Sequence, residues 1–165
     1  MFTLDFIEVV KKRRSIRRYK PDPVPEDALR QILEAARLAP SAGNRQPWHF
    51  IIVRDEDKKN QLGIPSWASE APIVIVGCAD TETRGEPVCF IDVAIAFEHI
   101  VLAAANFGLG TCWIGRLGAD ETIKKALEIP EHIRVIAVTP LGYPDETPSP
   151  KPRKPLSEII HHDKF

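Results

Sequence analysis

Four guanidinium groups and a hydroxyl fall within the seven residues Arg13-Arg14-Ser15-Ile16-Arg17-Arg18-Tyr19. On extended backbone, side chains two positions apart share a direction, so Ser15 and Arg17 can close together on a phosphate or a carbonyl. The same cluster also reads as a solvated basic helix end answering the helix dipole. A second segment, Pro40-Ser41-Ala42-Gly43-Asn44-Arg45-Gln46-Pro47-Trp48, gathers amide and hydroxyl groups between two prolines. It reads either as a stiff exposed loop that offers donors and acceptors to the polar edge of a heterocycle, or as an ordinary helix-to-strand connection made of turn formers. Near the end, Pro150-Lys151-Pro152-Arg153-Lys154-Pro155 sets cations on a proline-stiffened strip, which alone reads equally as a solvated tail. Together the outer clusters supply cations for one dianionic phosphate and the middle loop supplies neutral donors for something larger and planar. That combination points to a mononucleotide cofactor.

These segments need elements to hold them. The spacing of Phe6, Val9 and Val10, with Thr3 as cap and Lys11 to Arg14 in the last turn, predicts a first helix from Thr3 to near Ser15. Pro25-Glu26-Asp27 opens a second helix whose face is Leu29, Ile32, Leu33 and Ala36, and which stops before Pro40. Trp48 to Val53 reads as a strand, and the polar stretch Asp55 to Leu62 as a helix. The apolar run Pro72 to Cys78 is too short for a helix and predicts an interior strand buried on both faces. From Val88 to Phe107 apolar residues run nearly all round, as in a long central helix surrounded by protein, which Gly108-Leu109-Gly110 ends. Thr111 to Ile114 predicts one short strand, Asp120 a cap for a helix through Leu127, and Arg134 to Leu141 the last strand. The prolines beyond Pro144 predict an extended surface arm. Two helices before any strand and one long central helix fit an α+β fold rather than regular βαβ winding.

The chain of 165 residues is one domain's worth, so residues 1–165 are expected to form a single unit with an arm from about residue 144. With 22 Lys and Arg against 23 Asp and Glu, the formal charge is -1, which removes the usual electrostatic basis for nucleic-acid binding. The stretch Phe90 to Gly115 is interrupted by Asp92, Glu98, His99 and Asn106, so no membrane span is expected, and the N-terminus shows no secretory signal; the expected compartment is the cytosol. Cys78, Cys89 and Cys112 lack both CxxC spacing and an even count, and the histidines are scattered, so neither a disulfide framework nor a metal site is expected. No GxGxxG or GxxxxGK[ST] segment occurs.

The basic Arg-x-Ser-x-Arg segment, the Pro-Ser-x-x-Asn-x-Gln-Pro-Trp loop, the Gly-Leu-Gly-Thr-Cys-Trp-Ile-Gly turn and the late Gly-Tyr-Pro followed by Lys-x-Arg, in this order, resemble the flavin-dependent nitroreductase family. The likeness runs from about Phe6 to Ile160. It implies an α+β sandwich, a mostly antiparallel sheet flanked by helices, forming an intertwined homodimer with FMN at the subunit interface. The implied activity is NAD(P)H-dependent reduction of small electron-poor acceptors, nitroaromatics or quinones, by ping-pong hydride transfer through flavin N5. No catalytic side chain is needed, because the flavin carries the chemistry. A non-catalytic flavin- or phospho-ligand-binding sensor or carrier is a different class on the same residues, and reductive dehalogenation or flavin fragmentation are other chemistries of the fold.

Carried over residue by residue, the resemblance implies that Arg13, with Lys151 and Arg153, binds the FMN phosphate. Ser15 binds the phosphate or ribityl region, Arg14 belongs to the same cluster, and Arg17 reaches the pyrimidine edge of the ring. Pro40, Ser41, Ala42, Asn44 and Gln46 form the loop supplied by the other subunit. Ile114, Gly115, Leu117 and Gly118 lie beside flavin N5 and O4, mainly through backbone atoms. The segments from Val53 to Pro72 and from Asp80 to Val88 are short where larger members carry a lid, so a flavin-ring Asn/Lys pair has no match; Trp67 is expected either to cover the site or to pack on the surface. No donor-binding fingerprint chooses between NADH and NADPH.

Overall fold

A computed structural model describes residues 5–117 and 121–165. The expected cap Thr3, the helix cap Asp120 and the ring neighbour Gly118 lie outside these residues. Helix α1 (Phe6–Lys12) begins instead at Asp5, whose carboxylate accepts the Ile7 N–H at 3.0 Å. It ends at Lys12, earlier than the sequence suggests, because the following chain leaves for the sheet: Ile16 N–H donates to Thr111 O at 2.8 Å. Helix α2 (Glu26–Arg37) buries Leu29, Ile32 and Ala36, the predicted face.

The sheet runs β1 (Trp48–Val53), β2 (Ile73–Asp80), β5 (Ile133–Gly142) and β3 (Gly110–Thr111), with β4 (Ile114–Gly115) also paired to β5. Every ladder is antiparallel. Strand β2 is interior and buried from Ile73 to Ala79, as its unbroken apolar run predicts. A fully buried strand is usual in parallel sheets; here it arises because helices cover both faces of an antiparallel one. Ile73 and Ile75 join the cluster with α2 and the central helix α5 (Val88–Asn106), whereas Val74, Val76 and Cys78 join Leu62 and Ile123 on the opposite face. That second face is covered by α3 (Glu56–Gln61), α4 (Ser66–Ser69) and α6 (Glu121–Leu127). A Cβ at Gly77 would lie 2.7 Å from the Phe97 ring, so only glycine lets this large buried side chain of α5 lie flat on β2.

Two further features depart from the sequence expectation. Thr111 to Ile114 is not one strand: it pairs with β5 at Thr111 and again at Ile114, with Cys112 and Trp113 between. The cause lies in β5, where Pro140 has no N–H for a ladder and the Cys112 N–H is taken by the Thr139 hydroxyl at 3.1 Å. Helix α5 is also not surrounded by protein within this chain. It is long and apolar enough to cross a membrane, but Val93, Phe97, Ile100 and Ala104 are buried against the sheet and α2, while Ile91 is 56% exposed.

Candidate functional site

One cavity of about 440 Å³ brings Arg13, Arg14, Ser15, Arg17, Lys151 and Arg153 together, the two outer basic segments of the sequence meeting at one place. Among the described residues, its lining contains no carboxylate. Ser15 sits where the chain leaving α1 meets β3. Ser15 bridges Thr111, and a Cβ at Gly110 would lie 2.7 Å from Ile16 Cγ1, so glycine there admits the close approach of the two segments. On the other side the arm is laced back across the same segment: Lys20 N–H donates to Tyr143 O at 2.9 Å and Asp145 N–H to Arg18 O at 3.0 Å. Glu146 joins the two, accepting the Arg17 N–H at 2.5 Å on one oxygen and facing Arg18 Nε at 3.8 Å with the other. Burial pushes the Tyr19 phenol far up, so it stays protonated and donates to Ile16 O.

The cations differ in how they are committed. Arg14 caps α1, its Nη1 donating to Lys11 O at 2.6 Å and Arg13 O at 2.8 Å, and it also lines the cavity. Arg153 folds onto its own arm, with Nη1 3.2 Å from Lys151 O and 3.1 Å from Pro152 O. Arg13 closes α1 as its C-cap and lies in the field of Glu98, whose carboxyl is pushed up by burial and drawn back by Arg13 and His99. Arg17 extends beneath Trp67, its guanidinium carbon 5.6 Å from the indole centroid. Trp67 comes from α4, a single turn that the sequence reading left without an element.

Pro40, Ser41, Ala42, Asn44 and Gln46 are not part of this cavity. Their loop lies against the N-terminal part of α5, where Ala42 N–H donates to the buried carboxylate of Asp92 at 3.0 Å. The cavity on the far side of Arg13 and Arg14 reaches Ala105, and about 20 Å of helix separates that residue from Asp92 at ~1.5 Å per residue. Ile114, Gly115 and Leu117 do not line this cavity either: Ile114 and Gly115 form β4, Leu117 is 64% exposed and the space above Gly115 is open. Asp92 and Glu146 were both missed as site residues. The available signal for Asp92 was a carboxylate inside a mostly apolar helix; Glu146 gave none, because its partners are far away in sequence.

A further surface is apolar. A groove of about 590 Å³ runs between α1 and α5, lined by Phe6, Val9, Ile95, Leu102 and Ala103 with Glu98 and His99 at its edge. Among the large apolar side chains left in solvent are Phe6, Ile7 and Val10, and, on the arm, Leu156, Ile159 and Ile160.

A sequence model of the nitroreductase family matches residues 10–69 and 60–143. The chain is similar to an NADH dehydrogenase of Thermus thermophilus, with 34% identity covering 95% of both chains. It is 31% identical to an FMN reductase [NAD(P)H] of Bacillus subtilis, over 96% of this chain and 74% of that one. Among solved structures, an FMN-dependent nitroreductase from Clostridium difficile superposes with a TM-score of 0.85 and 36% identity, covering 96% of this chain and 99% of that one.

Proposed function

Because this chain belongs to the nitroreductase family, we propose that it is an FMN-dependent oxidoreductase which takes electrons from NADH or NADPH and passes them to small electron-poor acceptors such as nitroaromatics or quinones. The observation that carries the reading is the convergence of Arg13, Ser15, Arg17, Lys151 and Arg153 on one cavity whose described lining holds no carboxylate. Such a donor set fits a terminal phosphate dianion, which accepts several charge-assisted hydrogen bonds at once. FMN ends in that group, and no adenine-binding fingerprint calls for FAD.

When bound, the flavin supplies the two-electron redox chemistry. The chain's part is to bind and to bias. Arg13, Lys151 and Arg153 hold the phosphate, and the Ser15 hydroxyl donates to the phosphate or ribityl chain. Arg17 serves the pyrimidine edge, where its fixed positive charge favours the reduced, more negative ring, as preorganised donors favour any charge that develops during reaction. The Trp67 ring lies against the guanidinium, its centroid 5.6 Å from the guanidinium carbon. Ile114, Gly115 and Leu117 border the ring through backbone atoms, and the open space at Gly115 is consistent with a close planar neighbour.

The site is completed by a second copy of the chain. In this reading Ser41, Ala42 and Asn44 act in the partner's site, which accounts for their distance from the cations of their own chain. The uncovered α1 and α5 groove and the exposed apolar residues of the arm supply the contact surface of a homodimer. The decisive experiment is anaerobic: purified protein should carry FMN, its visible absorbance should bleach with NADH or NADPH, and it should return on addition of a nitroarene or a quinone. A protein that holds flavin but never bleaches is a binding protein, and one that takes up no FMN ends the reading.

A further inference from the structure

We infer that Asp92, on the central helix, is the positioning residue that sets the Pro40 to Pro47 loop for flavin binding. The inference rests on the proposed flavin site. Asp92 is 3% exposed in a helix whose other buried residues are apolar or small. One oxygen, Oδ1, accepts the Ala42 N–H at 3.0 Å; the other, Oδ2, is sealed from solvent and has no hydrogen-bond partner among the described residues. A carboxylate taken from water and given one hydrogen bond in return is a poor way to stabilise a fold, and an apolar side chain of similar size is commonly as good or better. What the bond does supply is location. A charged acceptor holds its donor at short range and in a fixed direction.

The loop needs that location. Gly43, Asn44 and Gln46 have φ of 61°, 53° and 51°, so two residues with side chains sit in the left-handed region. Four of its other bonds are internal: Asn44 N–H to Ser41 O at 2.9 Å, Arg45 N–H to Ala42 O at 3.4 Å, Gln46 N–H to Ser41 Oγ at 3.0 Å, and Gln46 Nε2 to Asn44 O at 3.3 Å. These fix the loop's shape but not its place on the protein. At its end, Asp80 N–H donates to Pro47 O at 2.8 Å and ties the loop to β2. Asp92 ties its beginning to α5, and the two anchors leave Ser41 to Asn44 presented outward between them.

A residue that positions the loop and a residue that merely holds the fold together give opposite signatures. In the full-length protein, Asp92→Asn keeps an acceptor oxygen for the Ala42 N–H, and Asp92→Leu removes it while filling nearly the same volume. We expect Asp92→Asn to bind FMN within threefold of the parent and Asp92→Leu to bind it at least tenfold more weakly, measured by quenching of flavin fluorescence. The flavin-free Asp92→Leu protein should melt no lower than the parent. Asp92→Ala replaces it in the same comparison if the leucine variant does not fold. Equal FMN affinity in parent and Asp92→Leu overturns the positioning role and leaves the flavin reading standing; affinity lost by the asparagine variant as well, or lost only in step with the melting temperature, also overturns it. A parent that takes up no FMN removes both.

Discussion

Around Arg13 the chain collects charge, and around Ala42 it collects backbone constraint. The cationic cavity is made of long side chains at the surface, several bonded to nothing firmer than neighbouring carbonyls, so an anion bound there would supply much of its order. The Pro40 to Pro47 loop is the reverse: it carries few charges, three of its backbone angles lie in the left-handed region, and its position is fixed by a buried carboxylate before any ligand arrives. One region attracts and the other orients. Affinity in the first should therefore be salt-sensitive and lost by charge removal, whereas in the second it should be lost by loosening, with little response to salt.

The largest effect should come from the charges. Arg153→Ala should weaken FMN binding by ~1.5–3 kcal/mol, the worth of a hydrogen bond to a charged group, and flatten its salt dependence. Flavin-free protein should melt as before, since the Arg153 guanidinium bonds only its own arm. Isothermal titration at two salt concentrations and a melting curve check all three statements.

Arg17 and Trp67 sharpen the comparison, because they belong to the charged region but are assigned an orienting task. Arg17→Ala should lower the flavin reduction potential and slow reduction by NAD(P)H more than it weakens binding of oxidised FMN. Trp67→Ala should shift the potential in the same direction but less, in keeping with a cation–π contact of ~0.5–1 kcal/mol at an exposed site. Potentiometric titration and anaerobic stopped flow read both. Equal loss of FMN affinity with unchanged potential would return Arg17 to the phosphate.

A smaller effect is expected at Glu98, where burial holds the carboxyl above its ordinary range in the folded chain. The folded state then takes up protons more readily than the unfolded chain, so this group favours folding at low pH, and that contribution is lost as pH rises through the raised value. Glu98→Gln should accordingly melt higher than the parent at pH 7. The difference should shrink to nothing as the pH falls below the usual glutamate range, which scanning calorimetry across pH 3 to 8 would follow.

Most of the scaffold was legible in the sequence because periodicity and burial agree there: the α2 face, the unbroken β2 run and the length of α5 each carry a local signal. What was illegible depends on residues far apart. The break between β3 and β4 is imposed by Thr139 and Pro140, a strand away. Helix α4 is a single turn of Ser-Trp-Ala-Ser, too short to show a period, and its bearing on Arg17 appears only once the fold brings them together. Asp92 stood out in the sequence merely as an interruption of apolar character; its partner Ala42 lies 50 positions earlier, so the bond that gives it meaning could not be read along the chain. The cationic site residues were legible by type, and the structure adds that all of them line one cavity and that Arg14 also caps a helix there.

The two regions are held here to meet across subunits, and one measurement addresses that directly. One subunit would carry Arg13→Ala and Arg153→Ala; the other would carry Ser41→Ala and Asn44→Gly, glycine keeping the left-handed backbone at position 44 while removing its side chain. Mixed dimers, isolated through two different tags, would be titrated with FMN. If each site combines the cations of one chain with the loop of the other, one site in the mixed dimer has both halves intact, and it should bind a single FMN with parental affinity although both parent homodimers bind weakly. If the mixed dimer shows no site of parental affinity, cations and loop do not complement across the interface, and the proposed division of the flavin site is wrong.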